Sequence, residues 1–148
     1  MSQVKTNVMR LLEQQGIHYI EHDYSEEKKK ETHKIFKTLV TVSKAGEHYV
    51  FMVPVNEELD LKKAAKAVNE KSIRMIKEKE LLPLTGYVHG GCSPIGMKKE
   101  FQTVLHEAAK DFESIIFSAG KVSISVEINP NDLSDMIPVF YADVIKDT

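Results

Sequence analysis

The sequence predicts an α+β fold built on a mixed sheet, and three features carry that expectation. Seven or eight short stretches alternate or run apolar at strand length. Three or four others repeat their apolar residues at helical spacing, and turn residues punctuate nearly every junction. A hydrophobic share of 42% beside 28% charged residues supplies a core and excludes wholesale disorder. At 148 residues the chain matches a single domain, 1–148, long enough to bury about two thirds of its unfolded surface.

In order, Val4, Val8, Leu11 and Leu12 recur as one helix face, and Gly16 suits a left-handed stop. Residues 17–24 read as a short strand leading into the charged run EEKKKETHK. Residues 36–42 alternate as a strand, the turn Lys44-Ala45-Gly46 reverses the chain, and residues 49–55 return as a largely buried strand. Asp60 is the expected N-cap of LKKAAKAV, with Leu61, Ala64, Ala65 and Val68 inward and Asn69 as the stop. Residues 72–76 read as a strand and 77–82 as a helical turn ended by Pro83. Past a glycine-rich loop, 101–105 and 114–117 read as strands. Residues 122–128 alternate most cleanly, with Val122, Ile124, Val126 and Ile128 inward. Asn129-Pro130 opens a short helix over 132–136, and residues 139–144 form the last strand.

Charge and composition narrow the partners. A formal net charge of −2 leaves no basic excess for wrapping a nucleic-acid polymer, so DNA is not an expected partner; a local basic pocket could still hold a nucleic-acid end. The longest apolar runs fall far short of the ~20 residues of a membrane helix, and the N-terminus is polar. With one cysteine there is no internal disulfide and no cysteine metal cluster. A cytoplasmic protein with no membrane partner and no cofactor is the expectation.

Several residue groups invite chemistry. His18 and His22 stand four apart, but on a strand that spacing separates them by roughly 13 Å, and no HExxH pattern accompanies them. Cys92 has His89 nearby in sequence and His106 further on, which raises a cysteine nucleophile against the simpler reading of a small buried residue. The charge run reads as solvated surface. Lys62, Lys63 and Lys66 form the polar face of their helix, with phosphate contact as the functional option. Ser123 and Ser125 read as the solvent side of a half-buried strand.

The loop TGYVHGGCSPIG (85–96) differs in kind, holding four of the chain's seven glycines within eleven residues. Glycine is favoured where φ is positive or a ligand approaches the backbone. Pro94 stiffens the turn, and Ser93 adds a hydroxyl beside amides that can form an oxyanion-binding concavity. Composition alone leaves a ligand-binding loop and an elaborate turn both open.

Four blocks, FKTLV (36–40), LDLKKAAKA (59–67), TGYVHGGCSPIGMKK (85–99) and FSAG (117–120), occur in an order that resembles the YbaK/EbsC family of prolyl-tRNA-synthetase-associated editing domains. The third is similar to the TGYxxGGxSPxGxKK form of its Cys-tRNA(Pro) deacylase branch. The resemblance implies a barrel-like, mostly antiparallel sheet with flanking helices. It also implies deacylation in trans of a mischarged tRNA at its acceptor end, beside prolyl-tRNA synthetase, with the substrate's own thiol attacking its ester carbonyl. Lys37 matches the family's essential lysine, Gly90 the loop glycine facing the ester, and Ser118 the serine of the S-x-G block. Tyr24 falls near the family's pocket tyrosine, and Gly91, Ser93, Pro94 and Gly96 complete the substrate-binding loop. The chain departs from the pattern in having only twelve residues between Tyr24 and Lys37, Lys121-Val122-Ser123 after the S-x-G block, and Ser125 where an aspartate is common. Those departures support two other readings: a non-catalytic binding or regulatory module of the same fold, or a deacylase for another small amino acid such as alanine.

Overall fold

The computed structural model describes residues 5–25, 28–29 and 31–147. Val4 and part of the charged run lie outside the described residues. Helix α1 (Asn7–Gln14) starts where the Thr6 hydroxyl accepts the Met9 N–H at 3.2 Å, and it buries Val8, Met9 and Leu12. Strand β1 (Ile20–Asp23) leads through a 3₁₀ turn (Thr32–Lys34) into the hairpin of β2 (Phe36–Ser43) and β3 (His48–Pro54). Asp60 caps α2 (Leu61–Ala67), accepting from the Lys62 and Lys63 amides. Then come β4 (Ile73–Met75), α3 (Glu78–Thr85), β5 (Gln102–His106), a second 3₁₀ turn (Glu107–Asp111), β6 (Ile115–Lys121), β7 (Ile124–Ile128), α4 (Pro130–Met136) and β8 (Val139–Ala142).

The strands form two sheets, β1-β7-β6 and β4-β2-β3-β5-β8. The three-stranded sheet is antiparallel, whereas β3–β5 and β5–β8 pair in parallel. Burial on both faces explains why β3 reads HYVFMVP rather than alternating. Met52, Phe36 and Leu105 face a core shared with α1, Phe117, Val126 and Leu133; Phe51, Val53 and Val104 face Ala64 and Ala65 of α2. The sheets meet where Ile35 bridges Ile116 in parallel, which sets the start of β2 beside β6 and gives the barrel-like wrap.

Four expectations need correction. Pro83 does not end its helix: it is the sixth of the eight residues of α3, where it forgoes the bond to the Lys79 carbonyl, and Gly86 with φ +88° is the cap. Val122 is 52% exposed rather than inward, because β7 begins only at Ile124 and Ser123 at φ +70° makes the β6–β7 turn. Leu61 is exposed, leaving Ala64, Ala65 and Val68 as the inward face of α2. The first and last strands are shorter than their apolar patterns, stopping at Ile20–Asp23 and Val139–Ala142.

Candidate active site

The start of β2, the ends of β6 and β7, the residue after β1 and the 85–96 loop converge on a cleft of about 330 Å³. That volume lies at the small end of ligand pockets. Tyr24, Lys37, Gly90 and Ser118 all line it, with Thr38, Cys92 and Ser125. Antiparallel register sets Ser118 directly across from Ser125, so both hydroxyls share one face of the three-stranded sheet. Ser125 is therefore a cleft residue, and Ser123 belongs to the turn at the cleft edge; neither is plain solvent surface.

Polar groups in the cleft are left incompletely paired. Lys37 is half-buried and makes no hydrogen bond or ion pair among the described residues; its charge is felt by the exposed Glu58. The Thr38 hydroxyl is buried without a hydrogen-bond partner among the described residues. A buried hydroxyl in that state costs about 1–3 kcal/mol of desolvation, so it marks a position where a ligand atom would complete the bonding. Ser118 Oγ accepts the Gly120 N–H at 3.1 Å, which leaves its proton free to donate. The Tyr24 ring stacks on His22 at 5.6 Å between centroids and 3° between planes, with the Lys29 ammonium 5.7 Å from its centroid.

The loop itself divides. At Gly90, φ is +85° and a Cβ would meet nothing nearer than Val122 Cγ2 at 3.8 Å, so backbone faces open cleft. Gly91 is pressed on the β6–β7 turn, where a Cβ would stand 3.0 Å from the Val122 amide nitrogen. Beyond it the loop is packing. Ser93 is fully buried and its hydroxyl accepts the Ile95 N–H; the Tyr87 hydroxyl donates to the Ile95 carbonyl. A Cβ at Gly96 would lie 2.8 Å from the Tyr87 hydroxyl, and one at Gly120 would lie 2.8 Å from Tyr87 Cε1. These glycines admit the tyrosine ring. Gly91, Ser93, Pro94 and Gly96 thus do not line the cleft. Pro94 and Gly96 instead border a separate concavity of about 350 Å³, with Leu11, Ile95, Met136 and Ile137 among its walls.

Cys92 lines the cleft as a thiol, not a thiolate. Burial pushes it up to about 12, against a smaller lowering by the Thr85 hydroxyl. His89 shares the cleft, but His106 sits at the end of β5, where its Nδ1 accepts the Val144 N–H at 3.3 Å and burial lowers its pKa. No group of three metal-ligating side chains occurs among the described residues, and His22 is engaged with Glu127 at 2.8 Å. Lys63 is tied to Asp143 at 3.0 Å and Asp147 at 2.8 Å, clamping the C-terminal segment to α2. Sequence reasoning missed Thr38, although its place beside Lys37 in the FKTLV block was the available signal.

The fold and this cleft define an editing domain. A profile of the aminoacyl-tRNA editing domain matches residues 17–136, and the chain belongs to that family. Over 155 aligned residues it is 41% identical to EbsC of Enterococcus faecalis, which is named for deacylation of Cys-tRNA(Pro) and Cys-tRNA(Cys); the match covers 97% of this chain and 94% of that one. The fold is shared with a solved protein described as a trans-editing enzyme for prolyl-tRNA synthetase, at TM-score 0.81, 24% identity and coverage of 97% and 100%. It is shared too with the hypothetical protein APE2540, at TM-score 0.82, 19% identity and coverage of 94% and 99%. Among the described residues no helix is long and apolar enough to cross a membrane.

Proposed function

We propose that this protein is a cytoplasmic trans-editing deacylase that removes cysteine from Cys-tRNA(Pro), working beside prolyl-tRNA synthetase as one domain. The carrying observation is a cleft in which, among the described residues, the Lys37 cation and the Thr38 hydroxyl have no partner and Ser118 keeps a proton to donate, while its own thiol is held protonated. Such a site is equipped to position and polarise an ester, and poorly equipped to attack it. The kinship with the Enterococcus faecalis protein supports the same substrate.

In this reading the nucleophile comes with the substrate. The cysteinyl sulfur attacks its own ester carbonyl carbon, a C–S bond forms, and the C–O bond to the terminal ribose breaks. The thiol proton ends on the ribose oxygen, and the cyclic thioester released is opened by water afterwards. Lys37 holds the terminal phosphate or polarises the carbonyl, Gly90 offers backbone to the ester, Ser118 donates a hydrogen bond, and Tyr24 forms a wall. Gly91, Ser93, Pro94 and Gly96 act through the shape of the loop.

Purified protein should release tRNA from Cys-tRNA(Pro), and Lys37→Ala should abolish release while leaving the fold intact. A panel of Cys-, Ala- and Pro-tRNA(Pro), with and without prolyl-tRNA synthetase, measures this. Full turnover by Lys37→Ala would remove the lysine from the mechanism, and binding without hydrolysis across the panel would replace the deacylase with a binding module. Since the net charge is −2, affinity should depend weakly on salt, as expected for recognition of the acceptor end alone.

A further inference from the structure

Glu127 lies outside the cleft, yet every chain segment tied to it goes on to build the cleft. Its neighbours Val126 and Ile128 point into the core, so Glu127 emerges on the opposite face of β7, where its side chain is only 10% exposed. One carboxylate oxygen takes His22 Nε2 at 2.8 Å. The other accepts from Lys34 Nζ at 2.7 Å and from the Ser114 hydroxyl. Each partner comes from a different element: β1, the 3₁₀ turn before β2, and the segment entering β6.

A few residues along, each of those elements supplies a cleft group. His22 is followed by Tyr24, Lys34 by Lys37, and Ser114 by Ser118, while Glu127 itself follows Ser125 on β7. The link to Tyr24 is direct, since the His22 ring held by Glu127 is the ring on which Tyr24 stacks. Glu127 lines a neighbouring cavity of about 420 Å³ that shares Tyr24 with the cleft, and it does not line the cleft. Its hydrogen bonds run to the segments that carry the cleft residues.

We propose that Glu127, acting with His22, is a positioning residue that sets the mutual spacing of Tyr24, Lys37, Ser118 and Ser125 around the cleft. The inference rests on the deacylase reading for its kinetic consequence and on geometry alone for its structural one. A carboxylate saturated by three partners is a rigid junction, because removing any arm leaves a buried charge short of a bond. Misplacement by ~1 Å can cost roughly a hundredfold in a reaction governed by orientation.

Two measurements test this. With Cys-tRNA(Pro), Glu127→Ala should lower kcat/KM roughly tenfold to a hundredfold at temperatures where circular dichroism shows it folded, with Glu127→Gln intermediate. The loss should be non-additive with Tyr24→Ala. Thr6→Ala, which removes the α1 cap and does not touch the cleft lining, supplies a destabilised control with unchanged kcat/KM. Wild-type kcat/KM in folded Glu127→Ala, or strict additivity with Tyr24→Ala, overturns the proposal. The second measurement needs no substrate: the Tyr24 ring protons, shielded by the stacked imidazole, should move downfield by NMR in Glu127→Gln. Unmoved Tyr24 resonances overturn the positioning role, whereas an inactive wild type overturns the deacylase reading and leaves this test standing.

Discussion

The two halves of the 85–96 loop use the same residue type for opposite ends. Around Gly90 the backbone is bare to the cleft, and the groups that share that cleft, Lys37 and Thr38, are short of partners. Around Gly96 everything is matched: Tyr87 fills the space beside two glycines and donates to the Ile95 carbonyl, and Ser93 is buried and bonded. One half is held, so that the other can be left open. Unsatisfied polar groups, not glycine content, separate the half that borders the cleft from the half that packs.

The largest expected effects come from putting one methyl group on each half. Gly96→Ala combines a φ of +79° with a contact at 2.8 Å from the Tyr87 hydroxyl. It should cost on the order of 3 kcal/mol and lower Tm by roughly 10 °C, with deacylation per folded molecule retained well below Tm. Gly90→Ala carries the φ penalty alone, about 1 kcal/mol, but should lower deacylation by ~100-fold, because the methyl stands where the ester must approach. Thermal melts and single-turnover assays on both variants would break the comparison if the two losses exchanged places.

Acid titration contrasts a saturated group with the unpaired ones. Burial by itself would raise the Glu127 pKa, but the hydrogen bonds from Lys34, Ser114 and His22 outweigh it and hold the carboxyl at about 2 rather than 4.5. Because the folded pKa is the lower one, this stabilisation is complete above about 4.5 and is lost as pH falls towards 2. It amounts to on the order of 3 kcal/mol. Glu127→Gln should therefore flatten the fall of stability with acid in chemical denaturation, whereas Lys37→Ala, felt only weakly by the exposed Glu58, should change that slope far less.

Smaller effects sharpen the same contrast. Thr38→Val keeps the shape and removes the unpartnered hydroxyl, so stability should hold or rise by about 1 kcal/mol while kcat/KM falls roughly tenfold. A loss of stability instead would mean that the hydroxyl is bonded in solution. Cys92→Ala should be the mildest, with kcat/KM within about twofold of the parent, since the proposed mechanism takes no thiolate from the protein.

Much of this was legible before any coordinates. Local chemistry marked the Asp60 cap, the Gly16 and Asn69 stops, the β2–β3 hairpin and the Asn129-Pro130 helix start, because each depends on a few adjacent residues. The motif blocks named Lys37, Gly90 and Ser118, and the resemblance placed Tyr24 near a pocket tyrosine; the fold gathers all four from separate segments. Alternation misjudged Val122, since a two-residue period continues smoothly through a turn that Ser123 makes with positive φ. Pro83 misled because the helix runs two residues past it and stops at the left-handed Gly86 instead. The loop was read as a single object, and Thr38 and Glu127 were passed over. Their meaning lies in which partners they lack or hold, and those partners are distant in sequence.

The buried thiol of Cys92 has a consequence for redox chemistry. Disulfide exchange and alkylation proceed through thiolate, and a pKa near 12 leaves almost none at neutral pH. If the cleft takes a cysteinyl ester as proposed, it is thereby insulated from the thiols it admits: it should not be capped by a mixed disulfide when the surroundings turn oxidising. The only sulfhydryl in the chain lines the cleft, and in the proposed mechanism it keeps out of the chemistry.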